Sequence, residues 1–163
     1  MSTMNDARVT IATGDGLDVR VFSVHQAMSQ LFRVELRAVS ANPDIDLDAV
    51  IANEASFVLD TQLSRQTWTG LCLEMEQLRV DPDNLATYRL VIVPRAWLLT
   101  QRKNYRIFQY ESELDIVKKL LGEWGVEHEV RCNGANHIVR KFRVQYGESD
   151  FAFVSRMLED AGI

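Results

Sequence analysis

Three histidines, His25, His128 and His137, are the side chains best suited to proton transfer or metal ligation near neutral pH. None stands in an H-E-x-x-H pattern or has a second His or Cys at ligand spacing, so each reads as a solvated histidine. Asp44, Asp46 and Asp48 are spaced like the first half of a calcium loop. The second half is missing, because the positions that need Gly and Glu hold Ala49 and Ala55. The run reads as an acidic loop leading into a helical turn. Gly14-Asp15-Gly16 is a turn and not a dinucleotide fingerprint, since Val19 takes the third glycine's place. No G-x-S-x-G marks a nucleophile elbow. Cys72 and Cys132 are far apart and read as free buried thiols, not as a disulfide or a metal pair. Carboxylates are plentiful, but a glycosidase pair is defined by a spatial separation. Arg102, Lys103 and Arg106 form a basic patch that could dock an acidic partner, although charge runs of this kind usually face water. No catalytic residue, cofactor site or metal site is therefore expected, and the residues alone read as a structural or binding module.

The chain has 163 residues and is 47% hydrophobic, which excludes a disordered polymer and allows one core, or a small domain plus part of another. No apolar run approaches the roughly 18 residues that span a bilayer. Met1 to Arg8 is polar and lacks a signal-peptide core, so a cytoplasmic origin is the default. A net charge of -5 does not resemble the footprint of a nucleic-acid binder.

Several elements follow from periodicity. Leu17 to His25 alternates, with Leu17, Val19 and Val21 opposed to Asp18 and Arg20, and Leu31 to Ser40 alternates again. The two read as antiparallel neighbours. Phe57 to Leu59, Trp68 to Gln77 and Tyr88 to Val93 are further strands. In the second of these, Leu71, Leu73 and Met75 alternate with Cys72, Glu74 and Glu76. Asp81-Pro82-Asp83-Asn84 is a turn. Short strands at this density predict a β-barrel or sandwich over residues 1–96. Residues 97–163 read as an α+β segment. Ser112 caps a helix with Asp115 as its partner, and Leu114, Val117, Leu121 and Trp124 form its stripe. Val126 to Val130 and Val139 to Val144 read as strands around a polar turn at Cys132 to Asn136. Ser149 caps a last helix, with Asp150 in its first turn, an apolar face at Phe151, Val154 and Leu158 that Phe153 and Met157 widen, and Gly162 as its stop. A chain ending directly after a helix stop is expected to be a piece of something longer.

The last stretch also carries a resemblance. Val144, Gln145, Tyr146, Glu148, Ser149, Asp150, Phe153, Arg156, Glu159, Gly162 and Ile163 match V-Q-Y-x-E-S-D-x-x-F-x-x-R-x-x-E-x-x-G-I. This pattern is found in the VgrG family, the spike proteins of bacterial type VI secretion systems. The similarity runs in order from Gly14-Asp15-Gly16-Leu17 through Val21-Phe22 and Met28-Ser29, with Met28 in a usual Leu place and Val34 in that of a Phe. It continues through Gly70, Tyr88-Arg89-Leu90, Pro94, Trp97-Leu98-Leu99, Arg102, Arg106-Ile107-Phe108-Gln109 and Asp115-Ile116-Val117. Arg143 departs from a common Cys. The resemblance implies a mainly β fold of phage tail hub type: a β-barrel, then an α/β segment that opens a second hub domain. It implies a non-enzymatic homotrimer that docks on the Hcp tube. Regions beyond this chain would carry a PAAR tip protein and effectors, and export would need no signal peptide. It further implies that residues 1–163 alone trimerise weakly or not at all, the longest trimer contact of the family lying beyond Ile163. A hub of a phage, prophage or other contractile particle would share the fold. A cell-wall hydrolase would need paired carboxylates of separated pKa.

Overall fold

The computed structural model describes residues 6–132 and 137–163. The chain divides into two compact units, one ending at Pro94 and one running from Arg95 to Ile163. The first unit contains β1 (Asp6–Ile11), β2 (Asp18–His25), β3 (Arg33–Ser40), α1 (Leu47–Val50), β4 (Glu54–Asp60), β5 (Arg65–Val80) and β6 (Ala86–Val93). The strands close a barrel in the order β1-β2-β3-β6-β5-β4, with β4 returning antiparallel to β1. Closure removes the free edges that an open sheet of this size would expose.

Alternation fills the interior: Val34, Leu36 and Ala38 of β3 face Tyr88, Leu90 and Ile92 of β6 within one core that also holds Phe57, Trp68 and Met75. Bulges in β2 and β5 break the simple alternation. Arg20 is an extra residue in β2, so the register jumps between Val19 and Val21. Val21 turns outward, and Phe22 swings over Phe57 at 5.0 Å between ring centroids. Leu73 is the extra residue in β5. It leaves Cys72 on the core face with Trp68, then inverts the phase so that Met75 is inside as well. The sequence alternation had placed Cys72 with the polar residues; one inserted residue reverses every side chain that follows it.

Polar groups fix the barrel's ends. The Tyr88 hydroxyl is buried, donates to the Asn42 carbonyl at 3.0 Å and accepts from Gln77 Nε2 at 3.0 Å. The Asp81–Asn84 turn joins β5 to β6, with Asn84 N–H donating to the Asp81 carbonyl at 2.9 Å. On the outer face, Arg89 bridges Glu35 at 2.8 Å and Glu74 at 3.0 Å.

The second unit contains a 3-10 helix (Arg95–Thr100), β7 (Lys103–Glu111), α2 (Glu113–Glu123), β8 (Arg140–Ser149) and α3 (Asp150–Ala161). β7 and β8 form a two-stranded antiparallel ribbon. Leu99, Phe108, Ile116, Val117, Leu120, Phe153, Val154 and Met157 form one core, so the helices cover a single face of the ribbon. Ser112 Oγ caps α2 by accepting from Asp115 N–H at 3.2 Å and donates to the Asp115 carboxylate at 2.6 Å. Ser149 Oγ caps α3 by accepting from Ala152 N–H at 3.1 Å. Gly162 ends α3 with a φ of 72°, a left-handed conformation that costs glycine little, and Ile163 N–H closes onto the Leu158 carbonyl at 3.0 Å.

Three readings of this half differ from the structure. β7 was not expected, because its alternation sets Arg106 beside Phe108 on the inner face and Tyr105 and Ile107 on the outer one, which hides the usual polar–apolar contrast. Val126 to Val130 is irregular chain and not a strand. β8 continues to Ser149 and passes directly into α3. The expected polar turn lies outside the described residues from position 133 onward. The buried face of α3 is centred on Phe153, Val154 and Met157, with Phe151 and Leu158 at its rim. No helix among the described residues is long and apolar enough to cross a membrane.

Candidate functional site

The densest polar constellation lies in the second unit, around the first residue of α3. Asp150 is fully buried. One carboxylate oxygen accepts from Arg102 Nε at 2.7 Å and from Trp124 Nε1 at 2.9 Å; the other accepts from Gln145 Nε2 at 2.8 Å. Asp150 N–H in turn donates to the Arg102 carbonyl at 3.0 Å. The arrangement follows from local structure. The Ser149 cap starts α3 immediately after β8, Gln145 is the inward residue one turn earlier in the strand, and Trp124 ends α2. A second layer lies outside the first. Glu123 accepts from Arg102 at 2.6 Å and from both terminal nitrogens of Arg106 at 2.6 and 2.9 Å, while the Arg102 guanidinium lies over the Trp124 ring. Two further clusters brace the ribbon: buried Glu113 takes Arg140 and Arg143, and Arg156 joins Glu148 to the Val144 carbonyl.

The Glu123 and Glu113 carboxylates are held as anions. Hydrogen bonds from Arg106, and then from Arg102, pull Glu123 from an ordinary 4.5 to about 2. At Glu113, burial pushes the pKa up, but the bonds from Arg143 and Arg140 outweigh it and the net shift is downward. A carboxylate held this far below neutrality is a poor general base and is never the acid at pH 7. The cluster instead works as a charged clamp joining α2, α3, β7 and β8. Because the folded pKa of Glu123 is depressed, its stabilising contribution is full above about 4.5 and is lost as pH falls from there toward 2. Thermal unfolding of the wild type between pH 5 and pH 2 is expected to show this loss, and Glu123→Gln is expected to start lower and flatten it.

The residues singled out for chemistry scatter. Asp46 caps α1 by accepting from Asp48 and Ala49 N–H at 3.1 and 3.2 Å, and Asp44 N–H donates to the Asn42 side chain. Among the described residues no group of three His, Cys, Asp or Glu side chains is disposed to hold a metal. His25 and His128 are exposed and His137 is half-buried. Asp15 accepts from Thr13 at 2.6 Å and from Asn42 at 2.8 Å, which ties the Gly14–Gly16 turn to the loop after β3. Both cysteines are free; burial pushes the Cys72 thiol up to about 11, so it is inert, and Cys132 is half-buried. The basic patch divides: Arg102 and Arg106 turn inward to Asp150 and Glu123, and Lys103 is left exposed. The sequence reading had not joined Asp150, Gln145 and Trp124 to those arginines. The available signal was a pair of polar residues, Gln145 and Asp150, bracketing the strand-to-helix junction.

The outer face of the ribbon is the other distinctive surface. Tyr105, Ile107 and Gln109 of β7 lie opposite Tyr146, Val144 and Phe142 of β8. Tyr105 and Tyr146 meet edge to face at 5.1 Å. None of these six side chains carries a charge.

Comparison with known proteins places these features in a wider group. The family described as the phage tail baseplate hub (GPD) matches residues 25–163. The type VI secretion system spike protein VgrG4b of Pseudomonas aeruginosa is 36% identical over 149 residues, covering 90% of this chain and 18% of its own length. VgrG1c of the same organism is 32% identical over 139 residues, covering 85% and 19%. The chain thus spans about a fifth of the length of these curated relatives. Among solved structures, the E. coli c3393 protein is described as a type VI secretion component with structural similarity to the T4 tail proteins gp27 and gp5. It matches with a TM-score of 0.79 at 25% identity, over 93% of this chain and 42% of its own. A 43 kDa tail protein of prophage MuSo2 from Shewanella oneidensis shares the fold at 10% identity and a TM-score of 0.67, over 98% of this chain and 49% of its own.

Proposed function

The chain belongs to the phage tail baseplate hub family, and on that premise we propose that it is the N-terminal hub region of a type VI secretion spike protein. In this reading residues 1–96 are the first barrel of the hub and residues 97–163 open its second domain. Three copies surround one axis and seat the spike on the Hcp tube. A PAAR tip protein and effectors attach through regions outside these residues. The protein assembles in the cytoplasm and leaves by contraction of the particle itself, without a cleaved signal peptide.

The observation that carries this reading is the similarity to spike proteins over most of the chain, at 36% identity for VgrG4b. The role of the matched residues supports it. Arg102, Arg106, Gln145, Glu148, Asp150 and Arg156 are engaged in the internal clamp, which is what a load-transmitting subunit requires. Their carboxylates are arginine-bound, which favours a structural role over a hydrolytic one. The shared fold of the prophage tail protein supports a second reading, a hub of a phage or related contractile particle. Mixing the full-length protein with purified Hcp separates the two. A stable complex is expected for a secretion spike, and no binding for a phage hub that seats on a different tube.

A further inference from the structure

We draw no further inference here: the strongest candidate, the apolar cavity of the second unit lined by Leu114, Val117, Leu121, Val130, Leu158 and Ile163, carries nothing because nothing in the structure shows what covers it.

Discussion

Asp150→Ala lowers the stability of the second unit by about 3–5 kcal/mol, the usual cost of deleting one partner from a buried charged cluster. The substitution takes one acceptor from three donors. Arg102 is partly exposed and can turn to water or keep Glu123. Trp124 Nε1 and Gln145 Nε2 have no such freedom, because their hydrogen bonds run into the fully buried carboxylate. Trp124 Nε1 loses its acceptor, Gln145 Nε2 keeps only its bond to the Glu148 carbonyl at 3.2 Å, and α3 also loses the negative charge in its first turn. Asp150→Asn keeps the volume but points an NH₂ at one set of donors, so about 2–3 kcal/mol is expected. Glu159→Ala, on the exposed side of the same helix, should stay within about 0.5 kcal/mol. Urea unfolding of the three variants reads the difference. An Asp150→Ala variant as stable as Glu159→Ala would mean that the cluster does not hold the unit together.

Gly70→Ala is expected to cost the barrel about 3 kcal/mol or more, beyond the usual range for overpacking. Gly70 sits in β5 between Trp68 and Cys72, on the strand's core-facing side. A Cβ built there would stand 1.9 Å from the Val93 carbonyl oxygen, 2.8 Å from the Val93 carbonyl carbon and 2.9 Å from Pro94 Cα. All three are backbone atoms, so no rotamer change relieves the clash and the end of β6 must move away from β5. Gly16→Ala is the matched control. Its Cβ would meet nothing within 4 Å, and its backbone needs no left-handed angle. That variant is expected to melt at or slightly above the wild type, through a less flexible unfolded chain. Circular dichroism melting curves distinguish the two, and equal melting temperatures would contradict the close approach.

Much of the first unit was legible because its strands obey a period of two and its turns carry turn residues. Val34, Leu36 and Ala38 face the core as their spacing requires, and Asn84 N–H closes the expected turn onto the Asp81 carbonyl. The failures in that unit have one physical cause, the β-bulge. A single extra residue at Arg20 or Leu73 inverts the side chains beyond it, and nothing in the spacing of apolar residues announces where that happens. The helix caps at Ser112 and Ser149 were readable because capping is local chemistry. The clamp was not. Arg102 and Asp150 are 48 residues apart and meet only once β7, α2, β8 and α3 have packed. Two arginines that read as a surface patch are therefore struts, partly exposed but tied to Asp150 and Glu123. Resemblance picked out several of the clamp residues without saying what they do, and their geometry supplies the reason: an arginine-for-carboxylate framework that keeps two helices on one side of a ribbon.

The measurement that tests the central claim most directly is the solution mass, by light scattering, of the uninterrupted natural product of this gene. A hub that seats a spike on a tube requires several copies around one axis, so the account predicts three copies of a chain much longer than 163 residues. A monomer ending near Ile163 would contradict it, leaving a barrel and a clamped ribbon that share a hub's fold without its assembly.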